Sequence, residues 1–383
     1  MSWDRIRFSD LYSIESKNGL TKPSRVRGSG YKMINMGELF SYDRIYDIPM
    51  ELVPLTEREK CSSKVESGDL LFARQSLVLE GAGKCSIVMD VSPLTVFESH
   101  LIRVRLDSKR ANPLFYYYYF KSPQSPIKSI VSQCAQSGIR GSDLGELSVD
   151  FPMLEIQNRI SNILSAYDNL IENNQKQIKL LEEAAQRLYK EWFVDLRFPG
   201  YENTPIIDGV PQGWGKVTLG DIAPILTGKK DANFGTEDGA YPFFTCSQEP
   251  IKAPSYSFDT SAVILAGNGD FNVKLYRGKF EAYQRTYVLS PNEEKNLYLL
   301  YNAVNESMAV LVKGASGSTI KFLTKGMIES IPLFIPTDEL LTQYNNYSEI
   351  VQRKLECLKR AIKIAIEARE RLLPKLMSGE LEV

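Results

Sequence analysis

The most regular hydrophobic pattern in the chain runs from Ile156 to Trp192 and predicts a long amphipathic helix. Apolar residues recur there in alternating steps of four and three, with charged residues between them, as in a heptad seam. At ~1.5 Å per residue, the helix would extend for roughly 55 Å. The seam positions are Ile160, Leu164, Tyr167, Ile171, Asn174, Ile178, Leu181, Ala185, Leu188 and Trp192.

A second stretch, from Tyr347 to Met377, repeats this register 184 residues later. A lone helix cannot cover so narrow an apolar stripe, so the sequence predicts that the two helices pair. Asn174 stands where the repeat has Leu358, and a polar seam residue of this kind specifies register. Two unrelated surface helices are the alternative, which the shared register disfavours. The second seam comprises Val351, Leu355, Leu358, Ile362, Ala365, Arg369, Leu372 and Leu376.

Repetition continues outside the helices, which indicates two copies of one globular unit. The segment that opens with Trp3 reappears at Trp214, and the apolar run 68–74 reappears at 261–267. Ser137-Gly138 and Ser316-Gly317 precede the two helices as a further parallel. The predicted division is a globular domain at 1–153, a helix at 154–192, a linker at 193–213, a globular domain at 214–333, and a second helix with a tail at 334–383.

Each globular segment reads as a mainly β domain, because short β-branched and aromatic runs alternate with Gly, Pro, Asn and Asp. Residues 85–89, 100–106 and 286–289 are expected strands, whereas 112–120 and 296–301 are expected short buried helices. The predicted fold class is therefore α+β. Two β-rich domains in a pseudo-twofold arrangement would be separated by the two helices, paired as an antiparallel coiled coil.

Composition narrows the function classes. Lys and Arg total 46 against 47 Asp and Glu, so any nucleic-acid binding must come from local patches. The five cysteines are scattered without a CxxC pair, which favours a reducing compartment over a disulfide scaffold or zinc site. No apolar run is long enough to span a membrane, so we expect a cytoplasmic protein.

Catalytic and cofactor motifs are weak in this sequence. The run Glu80–Cys85 resembles a phosphate-binding loop, but Val78 stands where that loop has Gly and Cys85 where it has Ser or Thr, so the run reads as a turn. His100 is the single histidine, which argues against histidine metal sites and histidine-dependent triads. Ser318 and Thr319 have no base to activate them, and Gly267-Asn-Gly269 lacks the third glycine of a dinucleotide loop. No cofactor is expected in this chain.

Basic residues cluster in three runs with few or no acids, within 16–37, 271–285 and 313–325. Such side chains beside aromatic residues suit phosphate neutralisation and base contact, although solvated surface charge is the alternative. The candidate DNA-binding residues are Lys22, Arg25, Arg27, Lys32, Arg74, Arg140, Lys229, Lys274, Arg277, Lys279, Arg285 and Lys321.

The whole chain resembles the specificity subunits of type I restriction–modification systems. The resemblance rests on the internal duplication and on the two Trp openings together with four further stretches. These are Pro152–Gln157, Glu183–Phe193, the linker from Phe198 to Trp214, and Leu373–Gly379. The second helix entry, 335–340, departs from the usual Pro-x-x-Glu-Gln form.

The resemblance implies two target-recognition domains, each reading one half of a split double-stranded DNA target. It also implies that chemistry resides in partners: methyltransferase (modification) subunits that use S-adenosylmethionine, and motor–nuclease (restriction) subunits that use ATP and magnesium. Lys176, Lys179 and Arg187 are candidate contacts for the modification subunits. A non-catalytic coiled-coil scaffold joining two β-rich protein-binding domains is the alternative, and an autonomous enzyme is a weaker one.

Overall fold

A computed structural model describes residues 3–76, 81–132, 137–317 and 321–383. The chain divides into two compact units. Unit 1 comprises the residues up to Asn173 together with Ala361–Val383, and unit 2 comprises Asn174–Arg360. Each long helix therefore contributes one part to unit 1 and one part to unit 2.

The globular part of unit 1 is β-rich, with short helices between its strands. Its strands are β1 (Asp4–Arg7), β2 (Tyr12–Asn18), β3 (Tyr31–Ile34), β4 (Arg44–Ile45), β5 (Glu51–Val53), β6 (Leu70–Ala73), β7 (Gln75–Ser76), β8 (Cys85–Val88), β9 (Val96–Phe97), β10 (Leu101–Leu106), β11 (Ser137–Gly138) and β12 (Ser148–Phe151). Its helices are α1 (Met36–Ser41), α2 (Glu57–Ser62), α3 (Pro113–Lys121) and α4 (Gly141–Gly145), followed by the first long helix, α5 (Leu154–Tyr189).

Unit 2 is built from the same kinds of element. Its strands are β13 (Ile206–Ile207), β14 (Val210–Pro211), β15 (Gly215–Thr218), β16 (Ile225–Thr227), β17 (Tyr241–Phe244), β18 (Ile251–Ala253), β19 (Phe258–Ala266), β20 (Val273–Ala282), β21 (Thr286–Leu289) and β22 (Pro332–Ile335). Its helices are α6 (Leu219–Ile222), α7 (Leu297–Gly314) and α8 (Lys325–Glu329), followed by the second long helix, α9 (Asp338–Met377).

The main sheets of the two units share one strand order. In unit 1 the order is β2-β10-β6-β8-β4, and in unit 2 it is β16-β21-β19-β20-β17 with β18 added at the edge. The last of the five shared strands is parallel to its neighbour in both sheets. In each unit the first strand of the domain also pairs antiparallel with the strand before the long helix, β1 with β12 and β15 with β22. The predicted duplication and α+β class are thus confirmed.

Both long helices pack through their predicted seams, where every predicted position is buried or half-buried. In unit 1, Ile160 and Leu164 share a core cluster with Leu376 and Met377. In unit 2, the Trp192 ring lies 5.8 Å from the Tyr344 ring, and Glu182 pairs with Lys359 at 3.7 Å. Early residues of one helix thus meet late residues of the other within each unit, as antiparallel pairing requires.

The ends of the long helices follow local sequence. Pro152 precedes α5, which passes into a single π-helical turn at Lys190–Val194. Phe334 and Ile335, placed with the second helix by sequence, lie in β22 instead. The α9 helix begins only at Asp338, because Pro336 biases the residue before it toward extended backbone. Pro374 is accommodated near the end of α9.

Two local expectations differ from the structure. The helix expected at 296–301 extends to Gly314, so α7 is longer than predicted. The parallel between Ser137-Gly138 and Ser316-Gly317 is wrong. Ser316 pairs with Phe322 as Ser132 pairs with Gly138, so Ser316 corresponds to Ser132. Local composition misled here because a Ser-Gly pair occurs on the second side of the pairing in unit 1 and on the first side in unit 2.

The linker expected at 193–213 packs against unit 2. Phe193 and Phe198 are buried, and their rings lie 5.8 Å and 4.6 Å from the Trp214 ring. The proline- and glycine-rich composition of this segment thus reflects turns and the short hairpin of β13 and β14. Among the helices described, none is long and apolar enough to cross a membrane.

A buried carboxylate ties three elements of unit 1 together. Tyr118 on α3 donates to Asp168 Oδ2 at 2.5 Å, and Arg369 Nη1 on α9 lies 2.5 Å from Asp168 Oδ1. The Asp168 side chain is only 6% exposed. Both carboxylate oxygens are thus satisfied, which a buried charge requires.

We expect Asp168→Ala to lower the free energy of unfolding by about 3–5 kcal/mol, because it leaves the Arg369 charge and the Tyr118 hydroxyl buried without their partner. Urea titration followed by circular dichroism measures this. Glu155→Ala is the matched control: it removes a carboxylate from an exposed pair with Arg159 and should cost less than about 1 kcal/mol. Equal losses in the two variants would show that the Asp168 network contributes no more than a surface ion pair.

A second carboxylate, Glu349 on α9, accepts from the Tyr298 hydroxyl, from Arg353 at 2.8 Å and from Arg277 at 3.2 Å. The Tyr298 hydrogen bond is the main cause that lowers the Glu349 pKa to about 2. Because this pKa lies below that of an unfolded glutamate, the stabilisation is complete above pH ~4.5 and disappears as the pH falls toward 2.

Replacing Tyr298 by Phe should therefore destabilise the protein more at pH 7 than at pH 3, because the carboxylate is largely protonated in the unfolded chain at pH 3 and part of its stabilising effect is already lost. Urea titrations of the variant and the unmodified protein at the two pH values test this. Tyr347→Phe removes a hydroxyl from an exposed residue of α9, the helix that carries Glu349, and should show no such pH dependence. A Tyr298→Phe effect of the same size at both pH values would contradict this role of the hydroxyl.

Candidate nucleic-acid interface

Two candidate residues, Arg74 and Arg140, lie at one end of the main sheet in unit 1. At this end β10 begins and its antiparallel neighbours β2 and β6 finish. The Arg74 amide donates to the His100 carbonyl at 2.8 Å, and the Ile139 amide donates to the Arg74 carbonyl at 2.9 Å. The Gly19 amide donates to the carbonyl of Leu101 at 3.3 Å. We call Gly19, Arg74, His100 and Ile139 strand-end cluster 1.

Unit 2 reproduces this arrangement. The Gly267 amide donates to the Arg285 carbonyl at 2.8 Å, and the Leu323 amide donates to the Gly267 carbonyl at 2.8 Å. The Gly228 amide donates to the carbonyl of Thr286 at 3.2 Å. We call Gly228, Gly267, Arg285 and Leu323 strand-end cluster 2.

The glycine that follows the first strand of each main sheet is required by close backbone contact. A Cβ atom on Gly19 would lie 2.1 Å from the Phe97 carbonyl oxygen, and one on Gly228 would lie 1.9 Å from the Ala282 carbonyl oxygen. Any side chain would therefore force the chain away from the sheet. The basic segments that follow, with Lys22 in unit 1 and Lys229 in unit 2, leave the sheet at equivalent places.

In unit 1 the candidate cations fall into two groups. Lys22, Arg27 and Lys32 are ion-paired with Glu59, Glu51 and Asp47 at 2.8, 2.6 and 2.6 Å. These pairs hold the segment after β2 against the domain and leave their charges partly neutralised.

Arg25 and Arg140 are exposed. Among the residues that the structure describes, none forms an ion pair or a hydrogen bond with either guanidinium group. Arg74 is half-buried and donates to the Ser99 carbonyl at 3.4 Å. Arg140 directly follows Ile139, so it extends strand-end cluster 1 with a free positive charge.

In unit 2, Lys229, Arg285 and Lys321 are exposed, and within the part of the chain that the structure describes their charged groups have no partner. Lys229 follows Gly228, and Lys321 lies two residues before Leu323, so both adjoin strand-end cluster 2. The run that includes Ser318 and Thr319 falls in 318–320, outside the described residues. Val78 and Glu80 of the rejected phosphate loop also lie outside them, whereas Gly81–Gly83 forms the expected turn.

The three candidates on β20 lie apart from the unpaired cations of unit 2. Lys274 donates to the Ser247 carbonyl at 2.8 Å, lines a cavity of about 510 Å³ beside α7, and has its pKa lowered by burial. Arg277 is ion-paired with Glu349 at 3.2 Å. Lys279 sits opposite Asp259, near the far end of β19, with its ammonium 4.9 Å from the centre of the Tyr256 ring. A single basic run in sequence is therefore dispersed along one strand.

A groove of about 360 Å³ opens at strand-end cluster 2. The groove is lined by a cation, an amide, two aromatic rings, a leucine and a glycine: Arg285, Gln284, Tyr287, Phe322, Leu323 and Gly267. The Tyr287 hydroxyl donates to the Leu323 carbonyl at 2.8 Å, which fixes the ring against the loop. Exposed cations beside aromatic faces and an amide can neutralise phosphates and contact base edges.

Two residues of this surface were missed as binding candidates. His100 occupies in cluster 1 the position that Arg285 occupies in cluster 2, and its side chain is 52% exposed. Gln284 precedes Arg285 and donates to Asp231 at 2.7 Å. Aligning the expected strands at 100–106 and 286–289 with each other would have brought His100 next to Arg285 in the comparison of the two domains.

Comparison with known proteins places the chain in a family. The family model described as "Type I restriction modification DNA specificity domain" matches residues 2–183 and 211–368. The chain is 38% identical over 183 residues to the type I restriction enzyme EcoDI specificity subunit of Escherichia coli, covering 45% of this chain and 39% of that protein.

Two further similarities extend over nearly the whole chain. The type I restriction enzyme MjaIX specificity subunit of Methanocaldococcus jannaschii is 24% identical over 415 aligned residues, which cover 100% of this chain and 94% of that one. A crystal structure of a type I restriction–modification S subunit from M. genitalium has the same fold, with a TM-score of 0.64 at 17% identity over 98% of this chain and 96% of that chain. The chain therefore belongs to the family of type I restriction–modification DNA specificity proteins, with the family's domain present twice.

Proposed function

We propose that this chain directs a type I restriction–modification complex to a bipartite double-stranded DNA target, with one half-site bound by each globular domain. Family membership assigns DNA target recognition to the chain and places catalysis outside it. The observation that most supports a split target is the recurrence of the same strand-end cluster in both domains. Two related surfaces with different side chains can bind two different half-sites, so the target need not be palindromic.

The proposed partners are methyltransferase (modification) subunits and motor–nuclease (restriction) subunits, which would supply S-adenosylmethionine, ATP and magnesium chemistry. The long helices are the proposed docking surface for the modification subunits. Lys176, Lys179 and Arg187 are exposed, which keeps them as candidate contacts. Apolar residues also remain exposed after the seam is buried, including Leu180 at 63% and Ile364 at 59%, and exposed apolar surface on paired helices favours a further protein interface.

The DNA-contacting groups are proposed to be the unpaired cations, Arg25 and Arg140 in unit 1 and Lys229, Arg285 and Lys321 in unit 2. The cations that already pair with carboxylates, such as Lys22 and Arg277, are proposed to support the fold instead. This assignment divides the basic residues by a physical criterion, since a phosphate gains most from a charge that no neighbour neutralises.

We expect binding of the assembled complex to its target duplex to weaken steeply with salt. Replacing Arg25, Arg140, Lys229 and Lys321 by Gln should make the slope of log K against log[salt] shallower by about 0.9 for each phosphate that is no longer neutralised. Fluorescence anisotropy from roughly 50 to 200 mM salt measures the slope.

The matched control replaces Lys109 and Lys216 by Gln. Both are exposed, but Lys109 follows the opposite end of β10, and Lys216 lies on the two-stranded sheet of β15 and β22. The control should leave the slope unchanged. If the four-residue variant also retains the affinity and slope of the unmodified complex, these cations are solvated surface. A salt-insensitive unmodified complex would instead favour the scaffold alternative.

A second prediction concerns the independence of the half-sites. Exchanging 1–153 for the matching segment of a relative should change one half of the methylated motif and leave the other half intact. The first and last strands of this segment, β1 and β12, pair with each other. The exchange therefore replaces both strands at once and keeps their pairing. The donor should keep Tyr118 and Asn112, whose side chains donate to Asp168 and Asn158 on α5. Sequencing of methylated genomic motifs reports the outcome, and a change in both halves would contradict independent reading.

A further inference from the structure

The two strand-end clusters place one exposed side chain at an equivalent position in each domain. His100 and Arg285 both offer their carbonyl to the residue that follows a central strand, Arg74 after β6 and Gly267 after β19, at 2.8 Å in each case. Each residue directly precedes a strand with a neighbour on both sides in the sheet. His100 precedes β10, which lies between β2 and β6, and Arg285 precedes β21, which lies between β16 and β19. Their backbones are therefore positioned by the same hydrogen bonds, whereas their side chains differ.

Both side chains are available to a ligand. The His100 side chain is 52% exposed, and its Nδ1 lies 3.4 Å from Glu98 Oε2. Arg285 is exposed, and none of the described residues accepts a hydrogen bond from its guanidinium group. A backbone fixed by hydrogen bonds that carries an exposed polar side chain is the arrangement that base reading needs, since a base edge must be contacted at a defined place.

The two clusters differ at the residue that follows the central strand, which is Gly267 in unit 2 and Arg74 in unit 1. In unit 2 a Cβ atom on Gly267 would lie 2.5 Å from the Arg285 carbonyl oxygen and 2.9 Å from the Tyr287 ring, so glycine keeps the groove open. In unit 1 the equivalent residue is Arg74, whose side chain turns back to the Ser99 carbonyl at 3.4 Å. Unit 2 thus presents Arg285 beside a groove, and unit 1 presents His100 beside the Arg74 side chain.

We infer that His100 and Arg285 are specificity-determining residues, each fixing one base pair in the half-site bound by its own domain. This inference rests on the proposed DNA-recognition function. Arg285 has the planar fork of donors that matches the O6 and N7 acceptors of guanine in the major groove, so its base pair is G·C. His100 contacts a base edge at the equivalent place in the other half-site.

The test compares the assembled methyltransferase complex carrying Arg285→Ala, Arg285→Lys or His100→Ala with the unmodified complex. The readouts are the methylated genomic motif and the affinity for duplexes substituted at each position in turn. Arg285→Ala should make one G·C position of one half-site degenerate, with discrimination there reduced roughly ten- to a hundredfold. Arg285→Lys keeps the charge but loses the fork, so it should relax the same position while retaining affinity for non-target DNA. His100→Ala should relax one position in the other half-site only.

The matched control is Lys216→Ala, which removes an exposed positive charge from the same unit as Arg285 and should leave every motif position unchanged. The inference is overturned if Arg285→Ala weakens binding to all sequences equally, because that is the behaviour of a phosphate contact. It is also overturned if the motif is unchanged, or if a single substitution relaxes both halves. If the unmodified complex lacks salt-dependent DNA binding, the proposed function itself fails, which is a separate result.

Discussion

The structure depends on one constraint: neither long helix can bury its apolar stripe alone. The stripe of α5 or α9 is too narrow to form a core, so each helix requires a partner running alongside it. In unit 1 the seam closes on Leu376 and Met377, and in unit 2 it closes through Trp192 and Tyr344. Each globular domain is attached to this pair, because its last strand leads directly into a long helix.

The domains are fastened to the helices by polar as well as apolar contacts. Asp168 accepts from Tyr118 and Arg369 in unit 1, and Glu349 accepts from Tyr298, Arg277 and Arg353 in unit 2. Each carboxylate lies on a long helix, and its tyrosine lies on the buried helix of the domain. A directional hydrogen bond of this kind resists rotation of the domain on the helices better than apolar packing alone, since apolar contact is non-directional.

The two domains share one backbone arrangement but carry different side chains on it. Strand order and the backbone hydrogen bonds at the strand ends are shared, so both domains place an exposed side chain at the same position of the sheet. The residues carried on that frame have diverged, as His100 and Arg285 or Arg74 and Gly267 illustrate. A common backbone with interchangeable side chains allows two unlike half-sites to be bound by one kind of domain.

The repeated elements could be predicted from the amino-acid sequence. Heptad spacing identified both long helices and their seam, because a period of three to four residues leaves a trace in any amphipathic helix. The parallel between 68–74 and 261–267 correctly aligned two central strands, whose apolar runs reflect burial on both faces. The helix starting at Leu297 was recognised, but its length was not, although Val304, Met308 and Leu311 continue its apolar face at helical spacing.

The unpaired charges, in contrast, could be identified only in the folded protein. Lys22, Arg27 and Arg277 are as basic in sequence as Arg25 and Arg285, yet their carboxylate partners come from distant segments that composition does not connect. The β20 strand likewise disperses one basic run along its length, because residues three apart on a strand are separated by about 10 Å. Pairing and exposure arise from folding, so the candidate site could be located by sequence only to the level of a basic segment. The physical reason is that a heptad is a local property of the chain, whereas the neutralisation of a charge depends on what the fold brings beside it.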